Sequence, residues 1–498
     1  GPAGVVAGML LGDAGVDTLV VDRRVGVSEL PRARGIHARA TEILRQLDIE
    51  ADMVAAQLPI APRLEVRTSM AEPPLEVVTT GGVTWAEVSP CEGIAIAQDV
   101  FENVLRRHLA RRDSVRMQLG LRLTALDVGD GGGACATLVD EATGERQQVD
   151  AAYLLGADGW RSDVRRLLDI AYHGALLSTQ RSIRFRADLS PWLGTPPPAF
   201  VRLPAVDGVL LPTHADNRWV AIHGGTTPPD DPLELLREVL GVEVRPQVLG
   251  DTTWTAAVQR AETFRSGPAF LLGDAAHRVT PAGASGISAA MADAHNLTWK
   301  IAGVLAGWAD PRLLDSYAVE REMVARVSCA ANLEMWQDLA TGNVSPIDLR
   351  TLDMGYRYRS PVVADDGLDS DGPTGGGSYE QSARPGARAP HAWISRTKGL
   401  STVDLFGRGF VVLAGPRECG WTEDARVAAA RLAIPVQVHQ VTEPAVIDAY
   451  GLGNDTAVVV RPDGHVACRL GDGAQPAALG DRVTSVTAAI QTAAGFRL

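Results

Sequence analysis

The run Ala269-Phe270-Leu271-Leu272-Gly273-Asp274-Ala275-Ala276-His277, continued by Pro281-Ala282-Gly283-Ala284-Ser285-Gly286-Ile287-Ser288, decides the architecture. The apolar residues read as a buried strand that delivers Asp274 at its C-terminal edge, where ligands bind in open α/β sheets. The Gly-rich turn then enters a long helical region from Ile287 to Met335. Free N–H groups at a helix start favour negative charge. An earlier run, Tyr153-Leu154-Leu155-Gly156-Ala157-Asp158-Gly159-Trp160-Arg161-Ser162-Asp163-Val164-Arg165, follows the same plan and delivers Asp158.

Working outward, the N-terminal end offers a third such feature. Gly1-Pro2-Ala3-Gly4-Val5-Val6-Ala7-Gly8 is a Gly-rich turn running into a small-residue helix that Gly15 ends. Thr18-Leu19-Val20-Val21 reads as a short buried strand closed by Asp22 and the adjoining Arg23. Gly1 and Gly4 match the second and third glycines of GxGxxG, the spacing that lets a backbone approach a pyrophosphate. Asp22 is then placed to accept hydrogen bonds from ribose hydroxyls. Alone, the turn reads equally as a plain Gly-rich loop; with Asp22, a Rossmann-like nucleotide site is expected. Such a fold has a strand before Gly1, so the chain reads as lacking its first strand and first glycine, with weaker cofactor binding as the expected consequence.

Helices are expected over Arg39–Leu47 and Val100–Ala110, and strands over 58–97 and Met117–Leu154. Gly129-Asp130-Gly131-Gly132-Gly133 has no helix after it and reads as a hairpin turn. Residues 171–255 are strand-rich and Pro-rich, with Pro191, Pro196, Pro197, Pro198 and Pro204. The expected fold is therefore α/β, with a Rossmann-like domain of 1–170 and 256–363. A sheet domain of 171–255 is inserted to carry the substrate, with 58–97 contributing in part. Residues 364–389, with Gly375-Gly376-Gly377, read as a linker. A small α/β domain over 390–498 follows.

Composition narrows the function. The chain has 498 residues, 46% hydrophobic and 21% charged, which is globular and too long for one core. A net charge of −13 without a Lys/Arg run makes nucleic acid an unexpected partner. The five cysteines form no CxxC pair and read as reduced thiols of a cytoplasmic protein. The ten histidines show no metal-ligand spacing, and no signal peptide or apolar run of about 18 residues is seen.

Taken in order, these motifs resemble the group A FAD-dependent aromatic hydroxylases, related to p-hydroxybenzoate and phenol hydroxylases. The sequence is most like the actinobacterial polyketide hydroxylases of that group. Gly156 to Arg165 resembles the family's DG motif, and Gly273-Asp274 through Asn296-Leu297 and Trp299-Lys300 its GD motif. The resemblance implies FAD as cofactor, NADPH or NADH as reductant, and oxygen transfer from a flavin C4a-hydroperoxide to an electron-rich aromatic ring. It implies that Asp22 binds ribose, Arg32 lies near the pyrophosphate and Gln98 contacts the flavin. Asp158 would serve both FAD and NAD(P)H, and Asp274 the ribityl chain. Gly283, Gly286, Ile287 and Ser288 would line the isoalloxazine, the last three through their backbone, and Pro281 would also contact the cofactor. Two departures stand out: Ala284 replaces a family glycine and Ser288 a family Asn, which bears on flavin mobility or reactivity. Arg384-Pro385-Gly386-Ala387-Arg388-Ala389-Pro390-His391, Asp404-Leu405-Phe406-Gly407 and Arg461-Pro462-Asp463-Gly464-His465-Val466-Ala467 resemble a C-terminal thioredoxin-like domain. Without CxxC, that domain is expected to be structural or to support a homodimer.

Blander readings compete at single residues. His277 reads as a structural histidine rather than a base, and His37 and His223 as packing residues rather than substrate contacts. Trp160, Trp219 and Trp254 read as core before they read as stacking platforms; His223 and Trp254 are the substrate candidates kept. Ser285 lacks a GxSxG elbow, so a hydrolase is not expected. A halogenase is disfavoured by the lack of a WxWxIP segment. An antibiotic-inactivating oxygenase of the same fold and a flavin-binding protein without turnover are the remaining alternatives.

Overall fold

The structure is a computed structural model that describes residues 1–28, 34–79, 84–129, 132–224, 229–341, 343, 345–367, 378–415, 420–453, 455–471 and 479–497, with no side chains described for 479–481. Its first helix, Pro2–Asp13, lies on two parallel strands, Thr18–Asp22 and Val115–Leu119. Glycine makes that close approach possible. A Cβ at Gly8 would sit 2.7 Å from Val20 Cγ2, and one at Gly12 would sit 2.5 Å from Val115 Cγ2. A second parallel pair, Leu154–Gly156 with Ala269–Leu271, is flanked by Arg265–Ser266. Asp22, Asp158 and Asp274 therefore all leave the C-terminal ends of parallel strands. The strands Leu121–Val128, Ala134–Asp140 and Arg146–Ala151 form an antiparallel sheet beside them. The turn between the first two includes residues 130 and 131, which lie outside the described residues.

Helix Gly286–Leu305 is the spine of this domain. Ala290, Met291, Ala294, Leu297 and Ile301 pack in one core with Ala3, Val6 and Met9 of the first helix and with Phe270 and Leu271. The long helical region expected from Ile287 to Met335 consists of two helices, Gly286–Leu305 and Asp315–Thr341. Gly307 turns left-handed at φ +77°, and Asp310 caps a short 3-10 turn that begins with Pro311.

An eight-stranded sheet stands over the ends of the parallel strands. Its middle is two 15-residue antiparallel strands, Tyr172–Arg186 and Gln247–Ala261. Ala61–Val66 and Glu76–Thr79 extend it on one side and His277–Arg278 closes the other. Alternation divides the faces. Ile183, Phe185, Leu203 and Leu210 point to helix Pro232–Leu240, burying Leu235 and Leu236. The opposite face looks toward the nucleotide-binding domain.

The C-terminal domain is a βαβ unit, Phe410–Ala414, Trp421–Arg431 and Val436–Gln440, followed by the hairpin Ala457–Val460 with Val466–Leu470 and helix Leu479–Ala493. Alternate residues of Phe410–Ala414 face opposite cores. Phe410 and Val412 pack with Trp421 and Ile490; Val411 and Leu413 pack with Val446 and Tyr450. The linker expectation over 364–389 needs correction at its end. Residues 368–377, with Gly375 to Gly377, lie outside the described residues, but Ala383, Ala387, Arg388 and Ala389 are buried. Gly/Pro-rich composition reads as linker because it does not reveal that Arg388 has an acidic partner far away in sequence. No helix among the described residues is long and apolar enough to cross a membrane, and no cluster of three metal-ligating side chains occurs among them.

Candidate active site

A continuous cavity of about 1360 Å³ runs from the start of the first helix, across the ends of the parallel strands, to one face of the eight-stranded sheet. Gly1, Ala3, Gly4, Asp22 and Arg23 line its nucleotide end. Helix Pro2–Asp13 has Gly1 at its N-cap and no side-chain cap, so first-turn N–H groups remain available to an anion. Gly4 backs closely on Ala157, where a Cβ would lie 3.3 Å from Ala157 Cβ. The buried Asp22 carboxylate accepts the Arg24 N–H at 3.0 Å and has the Arg106 guanidinium at 3.6 Å. Arg32 lies outside the described residues.

The two Asp-bearing turns play different parts. Asp158 lines the cavity, yet its carboxylate accepts the Ser162 hydroxyl at 2.5 Å and the Val164 N–H at 3.0 Å, closing the turn into helix Asp163–Leu167. Arg165 then donates to the Ala275 carbonyl at 3.0 Å and lies over the Tyr172 ring at 3.9 Å. Tyr172 donates its hydroxyl to the Asp274 carbonyl at 2.9 Å. Burial pushes the Tyr172 phenol up, which keeps that donor protonated. The two motifs are thus tied into one unit, with the exposed Asp274 side at the cavity.

Behind that unit, Gly273 holds φ +56° and donates its N–H to Asp293 at 2.9 Å. Asp293 also meets His277 Nε2 at 2.8 Å and Arg321 Nε at 2.7 Å. Burial pushes the Asp293 carboxyl up, but His277 and Arg321 outweigh it and hold it at about 2. His277 stacks on Phe264 at 5.9 Å, buried behind the site.

Pro281, Gly286 and Ile287 line the cavity where helix Gly286–Leu305 begins, again without a side-chain cap. Gly283 and Ser288, expected beside the flavin, are not among the residues that line the cavity. Gly283, at φ +74°, is turned to Met335, whose Cε would lie 2.8 Å from an added Cβ. Ser288 is buried, and its hydroxyl accepts the His37 N–H at 3.0 Å. Ala284 occupies the left-handed region at φ +51°.

The sheet side of the cavity presents Ser182, Arg184, Thr213, His214, Val220, Ile222, Thr252 and Trp254. Trp254 donates its indole N–H to Ser182 at 2.8 Å, which lays the ring on this face. Trp219 and Trp160 also reach the cavity, Trp219 bonded to the Ala187 carbonyl and Trp160 covered by the Arg161 and Arg278 guanidinium groups. The substrate candidate His223 is not on this wall. It is buried at the end of strand Arg218–His223, one residue beyond Ile222, and alternation turns it to the other face. Gln98 lines the cavity and donates its amide to Glu102 at 2.7 Å. Beside it, Asp99 meets His214 Nε2 at 3.0 Å, a pair that sequence reasoning missed. Arg34, packed over Phe200 at 4.7 Å, was missed as well.

These residues suit FAD. Two uncapped helix starts suit its phosphates and its electron-rich ring edge, and carboxylates at Asp22 and Asp274 suit its hydroxyl groups. At Gly273 a Cβ would come within 3.0 Å of Ala290 Cβ, so helix Gly286–Leu305 can press against the turn that carries Asp274.

The comparisons agree with this geometry. Residues 1–331 match the FAD binding domain family and residues 382–491 the aromatic-ring hydroxylase C-terminal family. The chain is 33% identical to tetracenomycin A2 monooxygenase-dioxygenase of Streptomyces glaucescens, over 94% of this chain and 92% of that protein. It is 33% identical to aklavinone 12-hydroxylase of Streptomyces purpurascens, over 96% and 95%. A crystal structure of aklavinone-11 hydroxylase with FAD and aklavinone superimposes with a TM-score of 0.87 at 31% identity, covering 99% of this chain and 97% of that one. The chain belongs to the FAD-dependent aromatic-ring hydroxylases and is a flavin monooxygenase.

Proposed function

We propose that this hydroxylase acts on a phenolic ring of a polycyclic, polyketide-type substrate and takes its electrons from NADPH or NADH. The observation that carries the reading is the single cavity joining the nucleotide-binding turns to the Trp254 face of the sheet. At about 1360 Å³ it exceeds the usual ligand pocket of roughly 300–1,000 Å³, which suits a dinucleotide and a fused-ring substrate together. The likeness, over more than nine-tenths of each chain, to oxygenases named for aklavinone and tetracenomycin supports the substrate class.

In this reading, N–H groups at Gly1, Ala3 and Gly4 hold the pyrophosphate, and Asp22, with Arg23 beside it, holds the adenosine ribose. Asp274 takes the ribityl hydroxyls, and Gly286 and Ile287 offer N–H groups to the ring. Bound FAD supplies the redox and oxygen-transfer chemistry that side chains lack. The protein contributes orientation and a wall that excludes water: Val220, Ile222 and Trp254 cover the substrate, while Arg184 and Thr213 supply polar contacts. The C-terminal domain is structural or supports a homodimer.

Anaerobic mixing of FAD-loaded protein with NADPH, then NADH, tests this in the presence and absence of polycyclic phenols. Bleaching of the flavin absorbance, accelerated by a phenol, is the expected result. A flavin that neither nucleotide reduces, with or without phenol, overturns the reading.

A further inference from the structure

The geometry points to Thr213 and His214, backed by Asp99, as a proton relay that ionises the phenol before its ring is attacked. The inference rests on the phenolic reading above. It begins with a break in strand pairing. Pro212 pairs with Trp219 and His214 with Arg218, so Thr213 is an extra residue bulged from the strand. A bulge breaks the alternation that otherwise sends neighbours to opposite faces, and it re-aims side chains. Thr213 and His214, adjacent in sequence, both reach the cavity.

The hydrogen bonds then set the proton positions. His214 Nε2 lies 3.0 Å from Asp99 Oδ2 and Nδ1 lies 3.1 Å from Thr213 Oγ1. Burial pushes the Asp99 carboxyl up, but the bond from His214 and its charge outweigh that and hold it below the ordinary carboxylate range. An ionised carboxylate only accepts, so Nε2 carries a proton. Nδ1 faces a hydroxyl that has two stable settings. With neutral imidazole, Thr213 donates to Nδ1. With imidazolium, Nδ1 donates to Thr213, and the hydroxyl turns to the Arg218 carbonyl, 3.0 Å away. The settings differ by one proton and one hydroxyl rotation.

The step balances. The phenol O–H bond breaks and its proton passes to Thr213 Oγ1 as the hydroxyl's own proton passes to His214 Nδ1. A phenolate and an imidazolium result, with no change in net charge. A phenolate ring is more electron-rich than a phenol and reacts faster with electrophilic oxygen. Charged groups around the relay come from three elements. Asp99 and Glu102 lie on helix Gln98–Leu109, with Glu102 bound by Gln98. Arg218 lies on the neighbouring strand, paired with Asp216 at 2.8 Å, and Arg184 lies on the strand beyond. Asp99 holds the Nε2 proton in place, and the two arginines favour the phenolate. Thr213 is the group that touches substrate; His214 and Asp99 act through it.

The experiment uses FAD-loaded protein and 1,2-dihydroxyanthraquinone, a fused-ring phenol whose colour reports its ionisation. The bound dye is expected to ionise at a pH lower than the free dye. Thr213→Val and His214→Asn should raise its apparent pKa by about one unit or more, while Thr213→Ser keeps the wild-type value. The pH profile of hydroxylation should shift in the same direction for the same variants. Flavin absorbance and thermal melting confirm that each variant is folded; a variant that fails them is replaced by Asp99→Asn, for which the same upward shift is expected. Wild-type pKa values retained in Thr213→Val and in a folded His214 or Asp99 variant overturn the relay alone. A dye that does not bind wild-type protein overturns the polycyclic-phenol reading and the relay with it.

Discussion

Ala284 is the one residue of the flavin-side turn that works against its backbone. It holds φ +51°, a left-handed conformation that costs an L-residue roughly 1–2 kcal/mol. Glycine at this position removes that strain but adds unfolded-state entropy, of roughly 0.4–1 kcal/mol. Ala284→Gly should therefore raise stability modestly, by about 0.5–1 kcal/mol, read from the denaturant midpoint at unchanged slope. Gly283→Ala should do the reverse, because its added Cβ meets both a φ of +74° and the Met335 side chain. Asp22 supports a different prediction. With Asp22 holding the ribose as proposed above, Asp22→Asn keeps the shape but loses those charge-assisted bonds, so FAD should bind roughly tenfold or more weakly in a fluorescence titration of apoprotein. Asp22 and Asp274 were legible in the sequence because a strand, a turn and an acid lie within a few residues of one another. Asp99 and His214 were not: 115 residues separate them, and the bulge that aims His214 has no local signature.

At the scale of elements, helix Gly286–Leu305 does more than its sequence announces. Its start faces the cavity, its middle holds Asp293 against the Gly273 turn, and its far end sends Trp299 edge-on to Phe410 at 5.8 Å. The apolar residues made the helix visible, and Gly307 and Pro311 show why it stops. Asp293 has no local signal in the sequence; the fold brings His277 and Arg321 to it. Its carboxyl is held at about 2 against an ordinary 3.8. A depressed carboxyl stabilises the fold above its unfolded value, and that contribution is lost as pH falls from about 4 toward about 2. Asp293→Asn should accordingly flatten the acid limb of the stability profile. At neutral pH it should cost about 3–5 kcal/mol, since Arg321 is left buried without its counter-charge. Thermal melting from pH 7 to about pH 2 measures both effects; a variant with the wild-type acid limb rules out Asp293 as its source.

For the whole molecule, what joins the C-terminal domain to the flavin domain is buried charge as well as apolar contact. Glu320 accepts Arg461 at 2.6 and 2.9 Å and Lys300 at 2.8 Å, all out of water, and the half-buried Ser360 at 2.7 Å. Glu42 accepts Arg39 at 2.9 Å, Ser89 at 2.7 Å and Arg388 at 3.0 Å, although Arg388 lies 346 residues along the chain. Burial pushes the Glu42 carboxyl up, but Arg388 and Arg39 outweigh it and hold it at about 2. The Gly/Pro-rich run leading into Arg388 reads as linker because local composition cannot register a partner so distant. Paired charges at a domain boundary fix one docking geometry, since any displaced arrangement strands a charge in a dry interface. The same physics makes single and double substitutions differ. Glu42→Gln leaves Arg388 buried against a neutral partner and should cost about 3–5 kcal/mol. Adding Arg388→Met removes the stranded charge, so the double variant should lose less than the sum of the single losses, with a coupling of about 0.5–3 kcal/mol. Calorimetry of the FAD-loaded protein reads both the loss and its location: the single variants should melt the C-terminal domain ahead of the flavin domain. Strictly additive losses within one unsplit transition would mean that the pair does not hold the domains together, leaving the Trp299–Phe410 contact and the Glu320 cluster to do so.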